Sequence, residues 1–306
     1  MTDMIIDTHI HLSHVMYDHE FPFLSLKDDE YSMERGTREE LIERIRQTGI
    51  RVCIDPAIDI ESNGRTIALA EQFPGFLYSA VGVHPSRTFQ YRTADRRGGH
   101  VVARLHWEQR KLLDEYADSL CVAAIGETGL DYHNDRKEQH RIRQKMWFVY
   151  QLKLAHRKML PVILHIREAD EDAIRILKRY RHCLHGGVCH CFNGSPEFAK
   201  VYTELGLMLG IGGSLLSNSA KKSDLELAVM STPLEYIVLE TDGPYVKPDC
   251  PGIQNKQLKK ARNTSLIIPA VAKRIAELKH ISVEEVCRVT SENAVRLFRL
   301  RITDKE

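Results

Sequence analysis

A His-x-His motif lies close to the beginning of the chain, directly after a short apolar run at residues 4–6. It reads Asp7-Thr8-His9-Ile10-His11. Residues two apart in a strand point to the same side, so the rings of His9 and His11 can converge on one ion. His is the commonest metal ligand in proteins, but one His-x-His motif is equally well explained by two incidental polar residues. The motif alone therefore only suggests a metal site.

Four more residues of ligand type follow later apolar runs. Glu127, His165, His190 and Asp242 come after residues 122–125, 162–164, 187–189 and 237–241. Each has a structural alternative, since Glu127 could be an exposed turn acid and His165 a hydrogen-bonded core histidine. In (β/α)8 barrels, however, active-site residues collect at the C-terminal ends of the strands. Six ligand-type residues on five strands are difficult to explain as chance.

The chemistry of the set indicates which ions it would hold. Four imidazoles and two carboxylates suit Zn²⁺, Mn²⁺, Co²⁺ or Fe²⁺ better than ions that prefer all-oxygen shells, although Mg²⁺ is tolerated at nuclease sites. A bridging carboxylate would hold two ions about 3.5 to 4 Å apart, the spacing used for phosphoryl displacement. The residues therefore predict a centre for two divalent metal ions.

Eight short apolar runs could position these residues. They occupy residues 4–6, 51–54, 76–83, 121–125, 161–164, 187–188, 207–211 and 236–239. Continuous apolarity is typical of strands buried on both faces. Capping boxes at Thr37/Glu40 and Ser282/Glu285, and Pro196 after Ser195, mark helices between the runs.

Alternating strands and helices predict an α/β protein with a parallel sheet, and a doubly wound open sheet would show the same alternation. Eight strands in 306 residues favour a (β/α)8 TIM-type barrel, regular or distorted, in a single domain covering residues 1–306. Residues 13–36 and 86–107 are predicted to be loop insertions at the C-terminal face.

The second insertion is rich in Arg and aromatic residues. It contains Arg87, Arg92, Arg96, Arg97 and Arg104, with Phe89, Tyr91 and Trp107 among them. Guanidinium groups meet phosphates and rings stack on bases, so this composition suits a surface that binds single-stranded nucleic acid. An ordinary solvated loop is the alternative.

Composition and charge exclude several other classes of protein. Lys and Arg total 43 against 42 for Asp and Glu, so any polyanion must be bound locally. Seven Cys residues without paired spacing argue against a disulfide framework, and no signal peptide or membrane-spanning run is seen. We expect a cytoplasmic protein without a membrane partner. P-loop and serine-hydrolase motifs are also absent from the sequence.

The chain resembles the TatD-type deoxyribonucleases, a family of amidohydrolase-like metal-dependent hydrolases. Six motifs carry the resemblance in family order from residue 1 to about 298. They are Asp7-Thr8-His9-Ile10-His11-Leu12, Gly82-Val83-His84-Pro85, Gly126-Glu127-Thr128-Gly129-Leu130-Asp131-Tyr132, Leu164-His165-Ile166-Arg167, His190-Cys191-Phe192-Asn193-Gly194 and Glu240-Thr241-Asp242-Gly243-Pro244-Tyr245. The set is specific, although no single motif is.

The resemblance implies a distorted barrel and a metal-dependent nuclease, commonly a 3′ to 5′ exonuclease on DNA, with single strands or 3′ ends as substrate. It implies that His9 and His11 bind one ion and that His165 and His190 bind the other. Glu127 would bridge the ions, Asp242 would complete the site and handle the water proton, and His84 and Arg167 would face the phosphate.

Two other functions remain open at this point. Related barrels use similar ligands to hydrolyse esters, lactones, amides or aminoacyl-tRNA, and the fold does not decide between them. A non-enzymatic nucleic-acid or partner-binding protein with a structural metal is the second alternative. Structural sites tend to be closed Cys/His shells, which makes that alternative the weaker one.

Overall fold

An eight-stranded parallel sheet is the central element of the computed structural model, which describes residues 4–90, 93–97, 100–104, 107–133, 137–218 and 222–302. In chain order the strands are β1 (Ile5–Asp7), β2 (Phe21–Lys27), β3 (Glu30–Gly36), β4 (Ile50–Pro56), β5 (Leu77–Val81), β6 (Thr93–Arg97), β7 (His100–Arg104), β8 (Val122–Asp131), β9 (Val162–Arg167), β10 (Gly187–His190), β11 (Met208–Ile211) and β12 (Ile237–Leu239). The large sheet has the order β1-β4-β5-β8-β9-β10-β11-β12.

Helices follow most of these strands. They are α1 (Arg38–Arg46), α2 (Ile60–Ala70), α3 (Trp107–Tyr116), α4 (Glu138–Lys158), α5 (Asp170–Arg179), α6 (Pro196–Glu204), α7 (Lys222–Ser231), α8 (Asn255–Lys260), α9 (Ile268–Lys279) and α10 (Val283–Phe298). Single 3-10 turns occupy Val15–Tyr17, Pro85–Arg87, Arg181–Cys183, Gly213–Leu216, Leu234–Tyr236 and Ser265–Ile267.

The sheet closes on itself between its first and last strands. Thr8 donates its N–H to the carbonyl of Leu239 at 3.0 Å, and just beyond the strands His11 donates its N–H to Gly243 O at 2.8 Å. The barrel prediction is therefore confirmed over the open sheet, and each of the eight predicted apolar runs corresponds to one barrel strand.

Two apolar clusters hold the barrel together. One takes at least one side chain from each of the eight barrel strands, including Ile6, Val52, Ile163 and Val238, so it fills the barrel interior. The other packs the outer strand faces against the helices. Because both faces of the strands are buried, they carry continuous apolar runs rather than alternating ones.

Of the two predicted capping boxes, the one at α1 is complete and the one at α10 shows only the Ser282 half. Thr37 and Glu40 form a reciprocal capping box at α1, and Ser282 accepts from Glu285 N at α10. Ser195 makes no side-chain cap, although Pro196 does begin α6.

The two insertions were predicted to be loops without strands, and this prediction was wrong, because each insertion contains a β-hairpin. In residues 13–36, β2 pairs with β3 around a two-residue turn at Asp28 and Asp29, both with positive φ. In residues 86–107, β6 pairs with β7. The first hairpin packs on the segment after β12, since Leu24 N donates to Arg262 O at 2.8 Å and Arg262 N donates to Pro22 O at 2.9 Å.

Among the described residues, no helix combines the length and the apolar character required to cross a bilayer.

Candidate metal centre

The six residues proposed as ligands come together at the C-terminal end of the barrel, with Glu127 at the centre. Its Oε1 lies 3.5 Å from His9 Nε2, 3.7 Å from His165 Nδ1 and 3.5 Å from His190 Nε2. Its Oε2 lies 3.8 Å from His11 Nε2. One buried carboxylate therefore faces all four imidazoles.

Asp242 completes a compact group of donors on one side of Glu127. Its Oδ1 lies 3.3 Å from His11 Nε2 and 3.6 Å from His9 Nε2, and these two nitrogens are 3.3 Å apart. Four donors around an ion with bonds of about 2.0 to 2.1 Å would be separated by about 3.3 Å in a tetrahedron. His9, His11 and Asp242 therefore have the donor type and spacing that fit a divalent ion, and Glu127 forms a ligand-type group with the same two imidazoles.

His165 and His190 form the other side of the centre. Both point a ring nitrogen at the same oxygen of Glu127, and their ring centroids are 6.1 Å apart. His84 joins this side, since its ring packs edge-on against His165 at 4.2 Å and it forms a ligand-type group with His165 and Glu127. His84, His165 and Glu127 thus form a second group that could hold a divalent ion, and Glu127 belongs to both groups. His190 shares the Glu127 oxygen, and it also stacks on His9 at 3.5 Å with its Nε2 3.9 Å from Asp242 Oδ1.

Local backbone geometry aims these side chains inward. The register between β8 and β9 shifts between Ile125 and Thr128, the stretch that contains Glu127. Asp242 adopts a positive φ of 56°, and its N–H donates to His9 O at 2.8 Å. The segments after β1 and β12 thus bring His9 and Asp242 together.

Buried groups behind the ring nitrogens fix the imidazoles. His11 Nδ1 lies 2.9 Å from the carbonyl of Pro56. His190 Nδ1 lies 3.1 Å from Glu240 Oε1, and His165 Nε2 lies 3.3 Å from Asp131 Oδ2. Such partners select the ring tautomer and orient the other nitrogen toward a metal.

Sequence reasoning missed Asp131 and Glu240, although both belong to the motifs that carry the family resemblance. It also missed Asp7, whose buried carboxylate accepts from Thr241 Oγ1 and Ser265 Oγ at 2.7 Å each and from His9 N at 3.1 Å. A signal was present in the spacing, because each acid lies within four residues of a proposed ligand.

The ionisation of the cluster reflects burial against charge. Burial lowers the pKa of His11 and of His165, but neighbouring carboxylates outweigh burial and raise both pKa values to about 9. These carboxylates are Asp242 and Glu127 for His11, and Asp131 and Glu127 for His165. Burial and the neighbouring His190 hold the pKa of His9 well below its usual range. Burial raises the pKa of Glu127, but His84 and His9 outweigh burial and hold this pKa well below its usual range. A cation bound here would replace protons held on imidazoles.

His84 and Arg167, proposed to face a phosphate, both lie at the centre's edge. Burial lowers the pKa of His84 to about 3, and its Nδ1 is occupied by Ser86 Oγ at 2.7 Å. Arg167 is exposed and lines a cleft of about 620 Å³ that also contains His165, His190 and Asp242. Phe192 and Phe198 form part of the same wall.

The two cysteines beside His190 behave differently. Strand alternation predicts that Cys189 and Cys191 both point away from the His190 side. Cys189 is buried in the core, but Cys191 has a positive φ of 47° after the strand ends, and its Sγ groups with His190 and Asp242. The alternation argument therefore failed at Cys191, because it does not apply beyond the last strand residue.

The Arg-rich insertion can be placed only in part. The side chains of residues 91–106, including Arg92, Arg96, Arg97 and Arg104, lie outside the described part of the chain. Arg87 Nε lies 4.0 Å from Asp59 Oδ2, and the two residues line a recess of about 210 Å³ next to His11.

Comparison with known proteins gives a consistent result along the whole chain. The family model described as TatD related DNase matches residues 6–299. YabD of Bacillus subtilis, an uncharacterized metal-dependent hydrolase, is 32% identical over 297 residues, which are 97% of this chain and 100% of YabD.

Two further relatives have more specific descriptions. The 3′-5′ ssDNA/RNA exonuclease TatD of a Rahnella species is 31% identical over 86% of this chain and 92% of its own length. The crystal structure of YjjV, a TatD homolog from Escherichia coli K12, is 28% identical, has a TM-score of 0.78, and covers 98% of this chain and 100% of its own.

Proposed function

Because this chain belongs to the TatD-related DNase family, we propose that it is a metal-dependent nuclease that removes nucleotides from the 3′ ends of DNA. The observation that carries the proposal is the central carboxylate of Glu127, which faces four imidazoles at 3.5 to 3.8 Å. A single carboxylate shared by two groups of donors is suited to two divalent ions about 3.5 to 4 Å apart, as in two-metal nucleases.

The residues would divide between two ions. His9, His11 and Asp242 would hold one, His165 and His190 the other, and Glu127 would bridge them. When bound, the ions supply Lewis-acid polarisation of the phosphodiester and make an attacking water more acidic. The mixed nitrogen and oxygen shell suits Zn²⁺, Mn²⁺, Co²⁺ or Fe²⁺, and it tolerates Mg²⁺.

Asp242 is the residue best placed to handle the water proton. Its side chain is 14% exposed, whereas that of Glu127 is 3% exposed, so Asp242 reaches the cleft while Glu127 stays behind it. Asp242 would therefore orient the attacking water and accept its proton. Glu127 would act by holding the ions at their working distance.

His84 and Arg167 would offset negative charge that develops on the phosphoryl oxygens. The Ser86 hydroxyl on Nδ1 of His84 leaves Nε2 as the nitrogen available to a substrate. Such contacts address phosphate rather than base edges, so cleavage without sequence specificity is expected.

The relative from Rahnella is described as acting on single-stranded DNA and on RNA, and we propose both substrates for this chain, with single strands preferred. The cleft of about 620 Å³ is large enough for a nucleotide, and its Phe192 and Phe198 could contact a base. All seven cysteines are free thiols, which supports a reducing compartment such as the cytoplasm.

The test is digestion of 3′-labelled and 5′-labelled single-stranded DNA, and of RNA of the same sequence, by purified protein with Mn²⁺. A 3′ exonuclease releases the 3′ label first as a mononucleotide and shortens the 5′-labelled strand stepwise. Asp118→Asn on the exposed surface is the matched control for Asp242→Asn. No cleavage of either polymer, with turnover of a chromogenic ester panel instead, would refute the nuclease proposal.

A further inference from the structure

The two imidazoles His165 and His190 share a feature that sets them apart from His9 and His11. Each has a buried carboxylate behind the ring nitrogen that faces away from Glu127. Glu240 Oε1 lies 3.1 Å from His190 Nδ1, and Asp131 Oδ2 lies 3.3 Å from His165 Nε2. These contacts leave His190 Nε2 and His165 Nδ1 as the nitrogens that face the centre.

The other pair is supported by weaker partners. His11 Nδ1 contacts only the neutral carbonyl of Pro56, at 2.9 Å. His9 Nδ1 is buried and makes no hydrogen bond within the described part of the chain; His165 Nε2 makes none there either, but it lies at ion-pair distance from Asp131. This pair instead has a carboxylate of its own at the front, because Asp242 Oδ1 lies 3.3 Å and 3.6 Å from the two Nε2 atoms.

The distribution of charge therefore differs between the two sides. On the His9–His11 side the negative charge sits among the donors, in Asp242. On the His165–His190 side it sits behind the rings, in Asp131 and Glu240. A carboxylate behind an imidazole fixes its tautomer and raises its basicity, and loss of such a partner typically costs about 10 to 100-fold in metal affinity.

Both acids are held in place at some energetic cost. Asp131 and Glu240 are 4% and 1% exposed, and buried carboxylates are unfavourable unless they are paired. Glu240 Oε1 also accepts from Cys191 N at 2.6 Å, and Asp131 Oδ1 accepts from His133 N at 3.0 Å. A Cβ on Gly210 would lie 2.0 Å from Glu240 Oε2, so only glycine leaves space for this carboxylate.

We infer that Asp131 and Glu240 are positioning residues that strengthen the ion held by His165 and His190 more than the ion held by His9, His11 and Asp242. The two sides do touch, because His190 stacks on His9 with ring centroids 3.5 Å apart and Glu240 forms a ligand-type group with both, but the shortest carboxylate contact to these imidazoles is the one between Glu240 and His190. The inference rests on the proposed two-ion centre. Removing either charge should convert the protein to a form that retains one ion, in a known position.

The experiment measures metal occupancy rather than cleavage. Wild type, Asp131→Asn and Glu240→Gln are loaded with Zn²⁺, dialysed against a dilute metal buffer, and analysed for metal content and for anomalous diffraction at the zinc edge. Both variants keep the size of the side chain and remove its charge. Stepwise Zn²⁺ titration by calorimetry gives the two affinities.

Asp7→Asn is the matched control, because Asp7 is a fully buried carboxylate that contacts His9 only through its backbone N–H. We expect each of the two test variants to weaken one binding step by about 10 to 100-fold. Their anomalous peak beside His165 and His190 should fall while the peak beside His9, His11 and Asp242 stays. Asp7→Asn should not reproduce this selective loss.

Other outcomes would overturn the inference. These are an equal fall of both peaks, a fall only at His9 and His11, or unchanged affinities in both variants. If wild type binds a single ion, the inference requires that this ion lies at His165 and His190 and that both variants weaken its binding. A single ion at His9 and His11 would overturn the inference. A selective loss without any nuclease activity in wild type would refute the proposed function and leave this inference intact.

Discussion

Replacing Glu127 with Ala should lower cleavage of single-stranded DNA by at least about 100-fold, equivalent to about 2.7 kcal/mol of transition-state stabilisation. The carboxylate lies 3.5 to 3.8 Å from a ring nitrogen of all four histidines, so both proposed ion positions lose a shared donor. We therefore expect metal content to fall at both positions, and the rate with it. Loss of activity should follow loss of metal rather than loss of fold.

The assay combines initial rates on 3′-labelled DNA at low substrate concentration, which report kcat/KM, with metal analysis of the same samples. Glu127→Gln serves as the companion variant, because it keeps the volume of the side chain and removes its charge. Circular dichroism verifies the fold of each variant. A rate near that of wild type, with metal content unchanged, would refute the bridging role.

Three more predictions concern the same centre, and a fourth concerns the Arg-rich insertion. Asp242→Asn should lower kcat by at least about 100-fold, since it removes the proposed proton acceptor, and a wild-type rate with full metal content would contradict that role. Exhaustive chelation should abolish cleavage, and Mn²⁺, Co²⁺ or Mg²⁺ should restore it to different extents; turnover that persists after verified metal loss would exclude metal catalysis. The pKa values of His11 and His165 are raised from 6.5 to about 9, so protonation of these imidazoles stabilises the metal-stripped protein. This stabilisation is fully present below pH 6.5 and is lost as the pH rises through about 9. The Tm in chelator should therefore fall between pH 6.5 and 9 while Zn²⁺ affinity rises, and pH-independent values of both would contradict it. The sequence of the insertion predicts that replacing Arg92, Arg96 and Arg97 by Ala raises the KM for DNA and flattens its salt dependence without changing metal content. An unchanged KM and salt slope would mean that the segment is only a surface loop.

The ligand-type residues were predictable because of how parallel strands meet. Strands of a barrel all end at one face, so a residue that follows an apolar run, such as His165 or Asp242, is placed near the others without knowledge of the register. The supporting acids could not be found in this way. Asp131 supports His165 because β8 and β9 pair with Gly129 opposite His165, and that register follows the shift near Glu127.

The missed hairpin β2–β3 has a different cause. Its two-residue turn is Asp28-Asp29, in place of the Asn-Gly or Asp-Gly pair that marks such turns, and Pro22 lies within the first strand. Tertiary contacts compensate, because Pro22 O accepts from Arg262 N and Leu24 N donates to Arg262 O. A local pattern does not report partners that lie about 240 residues away in the sequence.

The seam between β1 and β12 has a consequence for biosynthesis. Thr8 and Leu239, which are joined across it, are separated by 231 residues, and His9 meets Asp242 only when the seam forms. A growing chain on the ribosome exposes His9 and His11 early, but it cannot assemble the centre until the last strand has emerged. Unfinished chains therefore lack the complete donor set, and the ability to degrade nucleic acid arises only with the completed barrel.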